Sequence, residues 1–460
     1  MAANALSTVD HVVVLMLENR SFDHLLGFLY TDAGNVSPAG QQFEGLAGTE
    51  SNPDATGKPV PVFRIEQATP NAYFMPGADP GEGYMATNSQ LFGTSTAPTP
   101  PVAGMQGFVK DFAYTLGWQS KSKGWSILPG TTASDIMGCF TPKSLPVLSG
   151  LASGYAVCDH WFSSAPTETM PNRAFVCSAT SQGHMDDKTH TFTSPSIFGL
   201  LGKHSLTAGI YGYTSKPLTA NTFTDIASTP STKIGLFKDF TAAAAAGTLP
   251  NFSFLEPSWG SAGNSQHPNY DVALGEQFIH DVYYALRNGP AWQKTLLVIT
   301  YDEHGGCYDH VPPPAGATAP DNTAGEFGFD FTRFGVRVPT VLVSPLIPPG
   351  TVFRVPAGGT PLDHTSILKT VRTRWGLPAL TARDAAAPDF AAALSLTTPR
   401  TDDPLTGVTV PVAKGTNPSA GLPSHLQEVA AELAGRAYPA GHPHPVLRTA
   451  DDYTAYLRAQ

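Results

Sequence analysis

The stretch His11-Val12-Val13-Val14-Leu15-Met16-Leu17, halted at once by Glu18-Asn19, decides the fold. An unbroken aliphatic and β-branched run of this length, without polar alternation, marks a strand covered on both faces. Such strands belong to parallel sheets with helices on either side. Thr295-Leu296-Leu297-Val298-Ile299-Thr300 repeats the pattern, and 338–343 (VPTVLV) repeats it again before Pro345. Weaker runs of the same kind lie at 209–213 and 251–255. Between them, 271–288 sets Gly275, Phe278, Ile279, Val282 and Leu286 on one helical face, with Gly289-Pro290 as a stop. A further helix is predicted over 364–375, ended by Gly376 and Pro378. Strands alternating with helices predict an α/β fold with a mostly parallel central sheet flanked by helices.

The rest of the chain is organised around that sheet. Its 460 residues contain 44 Gly and 42 Pro, and only 14% are charged, which predicts loop-rich insertions. Residues 31–130 hold few periodic segments and read as an insertion folded over the active site. Residues 1–395 read as the catalytic domain. Residues 396–460 read as a C-terminal extension packed on it, with a short helix opening at Ser424 and Gln427 in capping-box spacing. A net charge of −10 gives no basic field for nucleic acid, and membrane contact is expected to be transient at most. Cys139, Cys158, Cys177 and Cys307 show no CxxC spacing and are expected as buried free thiols. The first residues lack a basic leader and a long apolar run, so the sequence as written reads as cytoplasmic, with export left open.

Polar residues gather where the strands end. Parallel strands carry Glu18, Asn19, Asp302 and Glu303 to one edge, where open α/β sheets build their sites. Three carboxylates and an amide oxygen suit a hard divalent cation, although an Asp-Glu pair after a strand also serves as a turn and helix cap. The segment Ser163-Ser164-Ala165-Pro166-Thr167-Glu168-Thr169-Met170-Pro171-Asn172-Arg173 offers hydroxyl nucleophiles and a phosphate-clamping or carboxylate-anchoring arginine. It also reads as an ordinary Ser/Thr/Pro loop. His267, His304, His310 and His364 sit in loops or at a helix start, where imidazoles suit phosphate contact and proton transfer. A dinucleotide loop, a Walker loop and a GxSxG elbow are absent. Gly441-His442-Pro443-His444-Pro445 reads as a surface loop rather than a metal tract.

Taken together, these segments resemble the phosphoesterase family of bacterial and plant non-specific phospholipases C and related acid phosphatases, within the alkaline-phosphatase-like group. The resemblance is carried by Glu18-Asn19-Arg20-Ser21-Phe22-Asp23-His24, Thr169-Met170-Pro171-Asn172-Arg173, Gln266-His267-Pro268, the block from Asp302-Glu303-His304-Gly305-Gly306 to Pro314, Gly335-Val336-Arg337-Val338-Pro339, and Asp363-His364-Thr365-Ser366. It implies that Glu18, Asn19, Asp302 and Glu303 hold one divalent metal ion (Ca2+, Mg2+, Mn2+ or Zn2+). Thr169 would be the nucleophile and touch the same metal. His267 and His364 would meet phosphoryl oxygens or move protons, with His304 a weaker candidate, and Arg20 and Arg173 would anchor the motif loops.

The implied activity is hydrolysis of phospholipid phosphodiesters through a phosphothreonine intermediate. The alternatives are a phosphomonoesterase such as an acid phosphatase on the same site and, more distantly, a catalytically silent binding protein. A wide apolar mouth would favour lipid, and Tyr73-Phe74-Met75 and Gln90-Leu91-Phe92 are candidates for it, or for core. One departure stands out. Family members often carry histidine in a DPxH element, and here Asp79-Pro80-Gly81-Glu82 places a carboxylate at that position. Glu82 is therefore expected near the site.

Overall fold

The strand His11–Leu17 runs through the middle of an eight-stranded sheet in the computed structural model, which describes residues 5–122, 127–260, 263–412, 425–435 and 447–459. In chain order the strands are β1 (His11–Leu17), β2 (Ala156–Val157), β3 (Ala208–Gly212), β4 (Thr232–Leu236), β5 (Phe252–Glu256), β6 (Thr295–Tyr301), β7 (Thr340–Val343) and β8 (Thr351–Val352). Across the sheet they lie in the order β8-β2-β7-β6-β1-β5-β3-β4. The block β4-β3-β5-β1-β6 is parallel throughout. Strand β7 is antiparallel to both its neighbours, β6 and β2. The chain reaches it from β6 through a long segment without an α-helix, so the crossover that parallel pairing requires is missing.

The apolar run is buried from Val12 to Leu17, as helices covering both faces demand. The helix Val272–Arg287 is opened by Asp271, whose side chain accepts the Ala273 amide at 3.0 Å. Phe278, Ile279, Val282 and Leu286 enter the main core from it. All four cysteines are free and buried.

The 31–130 segment is more regular than its sequence suggests. It carries the helices Tyr84–Phe92 and Phe108–Gln119. These close a separate small core containing Leu91, Phe108, Phe112, Met137 and, from the segment after β6, Tyr308. Tyr73, Phe74, Met75 and Leu91 are buried, so these candidates for an apolar mouth are core. At the other end of the chain, the helix His425–Gly435 packs Leu426, Val429 and Leu433 around Met170 and Trp259. Ser424 and the tract 441–445 lie outside the described residues. Among the described residues no helix is long and apolar enough to cross a membrane.

Candidate active site

The pairing of β1 with β6 builds the floor of the site. Leu17 stands opposite Tyr301, so the next residues of each strand, Glu18-Asn19 and Asp302-Glu303, leave the sheet side by side. Asn19 turns at φ 55°, a conformation asparagine tolerates better than most residues. Its amide donates to Asp302 Oδ1 at 2.9 Å, and the Glu303 amide donates to the same oxygen at 2.8 Å. Two glycines then let the walls close. Gly305 has φ +60° and a Cβ there would lie 2.0 Å from the Asn19 carbonyl oxygen. Gly306 has φ +64° and a Cβ there would lie 2.5 Å from the Gly81 carbonyl oxygen. The first glycine admits the Asn19 turn, and the second admits the insertion.

Thr169 reaches this floor from a helix, not from the irregular loop that its neighbours suggest. It is the first residue of Thr169–Ser178, and Pro171 fits in the first turn, where no intrahelical N–H is needed. The Thr169 hydroxyl donates to Asn19 Oδ1 at 3.2 Å. Its rivals are engaged elsewhere: Ser163 donates to the Ala165 carbonyl at 3.3 Å, Ser164 to Asp363 Oδ2 at 3.0 Å and Thr167 to the Met185 carbonyl at 2.5 Å. Arg173, one turn further on, donates from Nε to Asp302 Oδ2 at 3.0 Å and from Nη2 to the Leu17 carbonyl at 3.1 Å. Its buried Nη1 has no hydrogen-bond partner. Arg20 ties loops together, donating to the carbonyls of Gln266, Met75 and His267.

The histidines divide into two groups. His267 borders the cluster, with Nε2 3.9 Å from both Asp79 Oδ1 and Glu82 Oε2. His364 has both ring nitrogens hydrogen-bonded inside the protein, and His304 has one. His364 Nε2 lies 2.6 Å from the Asp302 carbonyl oxygen, and its Nδ1 lies 3.4 Å from Trp161 Nε1. His304 Nε2 lies 2.6 Å from Gln90 Oε1, and its Nδ1 lies 3.3 Å from Glu303 Oε2. Burial pulls the His304 pKa down to about 3 and lowers that of His364. Both rings are buried; His364 has no free nitrogen for a phosphoryl group, and His304 Nδ1 faces the Glu303 carboxylate. His310 is held by Asp23, at 2.6 Å from its Oδ2, in a network that Arg337 shares.

Carboxylates crowd the space above the floor. The Asn19 side-chain amide donates to Glu82 Oε2, which brings Glu82 into the cluster. Burial pushes the Glu82 carboxyl well up, and Asp79, Glu303, Asp187 and Glu168 push it further. Burial likewise raises Glu18 and, aided by Asp302, lifts Glu303 well above the usual carboxylate range. Asp187 is pushed up to about 7 and Glu168 to about 8, again chiefly by burial. Asp187 accepts the Met170 amide at 2.6 Å, and its own amide donates to Glu168 Oε2 at 2.6 Å. The sequence assigned no role to Asp187 or Glu168, and it offered Gln90 only as part of an apolar mouth or core, not as the partner of His304. Glu168 carries a signal in its position next to Thr169, whereas Asp187 carries none.

The donor set is oxygen throughout, the chemistry a hard divalent cation takes, but both Asp302 oxygens accept N–H donors and the carboxylates of Glu18, Asp302 and Glu303 do not converge within 4.8 Å of one another. Glu18, Asn19, Asp302 and Glu303 are all buried, and Glu303 Oε1 is a buried oxygen without a hydrogen-bond partner. Beside them opens a cavity of about 790 Å³, lined by Asp79, Glu82, Glu168, Met85, Tyr114 and Trp118 among others. Met85 and Tyr114 are 53% and 74% exposed, so the apolar lip that the core residues do not supply comes from the two helices of the insertion.

An oxygen-rich floor, a hydroxyl at a helix start and a buried arginine beside it are the equipment of phosphoryl transfer. The sequence model of the Phosphoesterase family matches residues 9–378, and the chain belongs to that family, the hydrolases of phosphoric ester bonds. Among its relatives, non-specific phospholipase C6 of Arabidopsis thaliana is 38% identical over 434 residues, covering 90% of this chain and 77% of the relative. Phospholipase C A of Mycobacterium tuberculosis is 29% identical over 444 residues, covering 86% and 78%. A solved protein of the alkaline phosphatase superfamily from Vibrio parahaemolyticus is 14% identical. It covers 54% of this chain and 65% of its own at a TM-score of 0.33, too distant to place a residue.

Proposed function

We propose that this protein is a metal-dependent phospholipase C that works through a phosphothreonine intermediate. The observation that carries the reading is the Thr169 hydroxyl, aimed at Asn19 Oδ1 on a floor of buried carboxylates where Glu303 Oε1 lacks a partner. A divalent cation held by Glu18, Asn19, Asp302, Glu303 and the Thr169 oxygen would supply Lewis acidity and lower the pKa of that hydroxyl. Thr169 Oγ attacks phosphorus in line and forms an O–P bond as the bond to the diacylglycerol oxygen breaks. The hydroxyl proton passes to a carboxylate of the cluster, and the departing alkoxide takes that proton to leave as the free alcohol. Thr169 then carries the head-group phosphate as an ester, and water attacks phosphorus to free it and restore the hydroxyl. The N-terminal end of the helix Thr169–Ser178 favours the anionic group at every stage. Arg173 Nη1 is a buried donor available to a phosphoryl oxygen. His267 is the imidazole that borders the reacting space.

The diester reading is preferred to the monoester one because the cavity is wide and its rim is apolar at Met85, Tyr114 and Trp118. The relatives' names point the same way. Phosphatidylcholine and p-nitrophenyl phosphate, offered to chelator-stripped enzyme with Ca2+, Mg2+, Mn2+ or Zn2+ added back singly, test the proposal. Cation-dependent release of phosphocholine is expected. Release of p-nitrophenol alone would establish a monoesterase, and turnover of neither substrate under any cation would refute the reading.

A further inference from the structure

We infer that Asp79, Glu82 and His267 form a second divalent-cation site beside the first, so that the reaction space is bounded by two cations rather than one. The inference rests on the cation-dependent reading above and extends it to three residues that reading leaves without a ligand.

The geometry begins with the imidazole. His267 Nδ1 lies 2.9 Å from the Pro268 carbonyl oxygen, which can only accept, so Nδ1 carries a proton. In the neutral ring Nε2 is then a bare lone pair. It faces Asp79 Oδ1 and Glu82 Oε2, each 3.9 Å away and beyond hydrogen-bond range. Asp79 Oδ1 is buried and no donor reaches it. Three electron-rich groups from two chain segments thus converge, with ligand atoms within 4.8 Å of one another and no hydrogen bond among them. A carbonyl oxygen on the far ring nitrogen is also how metal-binding histidines are commonly oriented.

The spacing fits an ion. Ligand atoms on one tetrahedral Zn2+ stand about 3.4 Å apart. A contraction of roughly half an ångström brings His267 Nε2 to that distance from both carboxylate oxygens, which lie within 4.8 Å of each other. Asn19 links the two sites through one amide. Its Oδ1 accepts from Thr169 on the side of the first, and its Nδ2 donates to Glu82 on the side of the second. The donor chemistry separates them. The first set is oxygen alone, whereas the second adds an imidazole nitrogen and so suits Zn2+ or Mn2+ better than Ca2+ or Mg2+. His267 would then act on the phosphoryl group through the ion it holds. Glu82, standing where family members often carry histidine, supplies the extra anionic ligand.

The test is metal stoichiometry, which needs no turnover. The full chain is stripped with chelator, reloaded with Mn2+ or with Zn2+, desalted and analysed by plasma mass spectrometry. Two ions per chain are expected in the wild type and one in the isosteric variant Glu82→Gln. One ion in the wild type, kept in Glu82→Gln and lost in Asp302→Ala, would overturn the inference and leave the first site standing. One ion lost in Glu82→Gln but kept in Asp302→Ala would leave the inference standing and remove the first site. No ion in the wild type would overturn both. If Glu82→Gln fails to fold, electron paramagnetic resonance of the Mn2+-loaded wild type decides. A spin-coupled pair supports the second site, and only isolated six-line signals refute it.

Discussion

Replacing Thr169 by alanine separates chemistry from folding, because the two costs differ widely. Thr169 is 1% exposed and its hydroxyl donates one hydrogen bond, at 3.2 Å to Asn19 Oδ1. Losing a single net hydrogen bond and one buried methyl group costs about 1–2 kcal/mol of stability. Position 169 is the first residue of a helix, where alanine is well accommodated. Losing the nucleophile removes the covalent route, and such deletions lower turnover by roughly 10⁴-fold or more. A 10⁴-fold loss is about 5.4 kcal/mol of barrier, well above the folding cost. Thr169→Ala should therefore melt within a few degrees of the wild type and be nearly inert on phosphatidylcholine. Thr169→Ser should recover part of the rate, since the oxygen survives with a freer χ1. Acid quenching with labelled substrate, followed by peptide mass spectrometry, should place the phosphoryl group on residue 169. Activity within tenfold of wild type in Thr169→Ala would refute the argument, as would label on Ser163, Ser164 or Thr167.

Two other predictions follow from the same geometry. In cation-free protein Asp187 is held up to about 7 and Glu168 to about 8, so the folded chain keeps protons that the unfolded chain releases. That contribution is complete below the ordinary carboxylate range and is lost as pH rises through about 8. Stripped protein should thus lose melting temperature from pH 5 to about pH 8 relative to cation-loaded protein; parallel curves in calorimetry would count against the carboxylate cluster. Gly305→Ala should cost at least ~2 kcal/mol in urea unfolding, because its φ of +60° disfavours a side chain and the new Cβ would meet the Asn19 carbonyl at 2.0 Å; an unchanged midpoint would show that the Asn19 turn is not under that constraint.

The fold was legible where burial left no choice. Strands β1 and β6 are enclosed on both faces, so Val12 to Leu17 and Leu296 to Ile299 are apolar without interruption, and the first carboxylates, Glu18 and Asp302, follow directly after each strand. Strands β2 and β8 have only two residues each, too few for any period to show. Strand β4, at the sheet edge, is half exposed and contains Lys233 and Gly235. The meeting of Glu18, Asn19, Asp302 and Glu303 at one edge follows from two adjacent parallel strands. The helical setting of Thr169 was hidden because Pro171 reads as a loop signal unless it is known to occupy a first turn. Imidazole identity was legible but imidazole partners were not. Nothing in the sequence reveals that Trp161 and the Asp302 carbonyl engage His364, or that Gln90 engages His304. Asp187 was invisible for a related reason, since it approaches through the path of the loop after its helix.

The two sources of the site have different freedom to change. The sheet edge and the helix of Thr169 are locked by buried bonds: Arg173 grips Asp302, His364 holds its carbonyl, and Asn19 spans both. A substitution there disturbs the core of the main sheet. The insertion instead leans on this floor, through Gln90 on His304, Glu82 on Asn19 and the close pass of Gly81 over Gly306. It is stabilised by its own small core around Phe108 and Phe112. Residues such as Asp79, Glu82, Met85 and Trp118 line the cavity without belonging to the sheet. Glu82, where family members often carry histidine, therefore changes the side chain that lines the cavity while Thr169 and its floor stay in place. On the proposed phospholipase C reading, substrate choice is expected to follow substitutions in the segment 31–130, and the reaction type substitutions at the sheet edge.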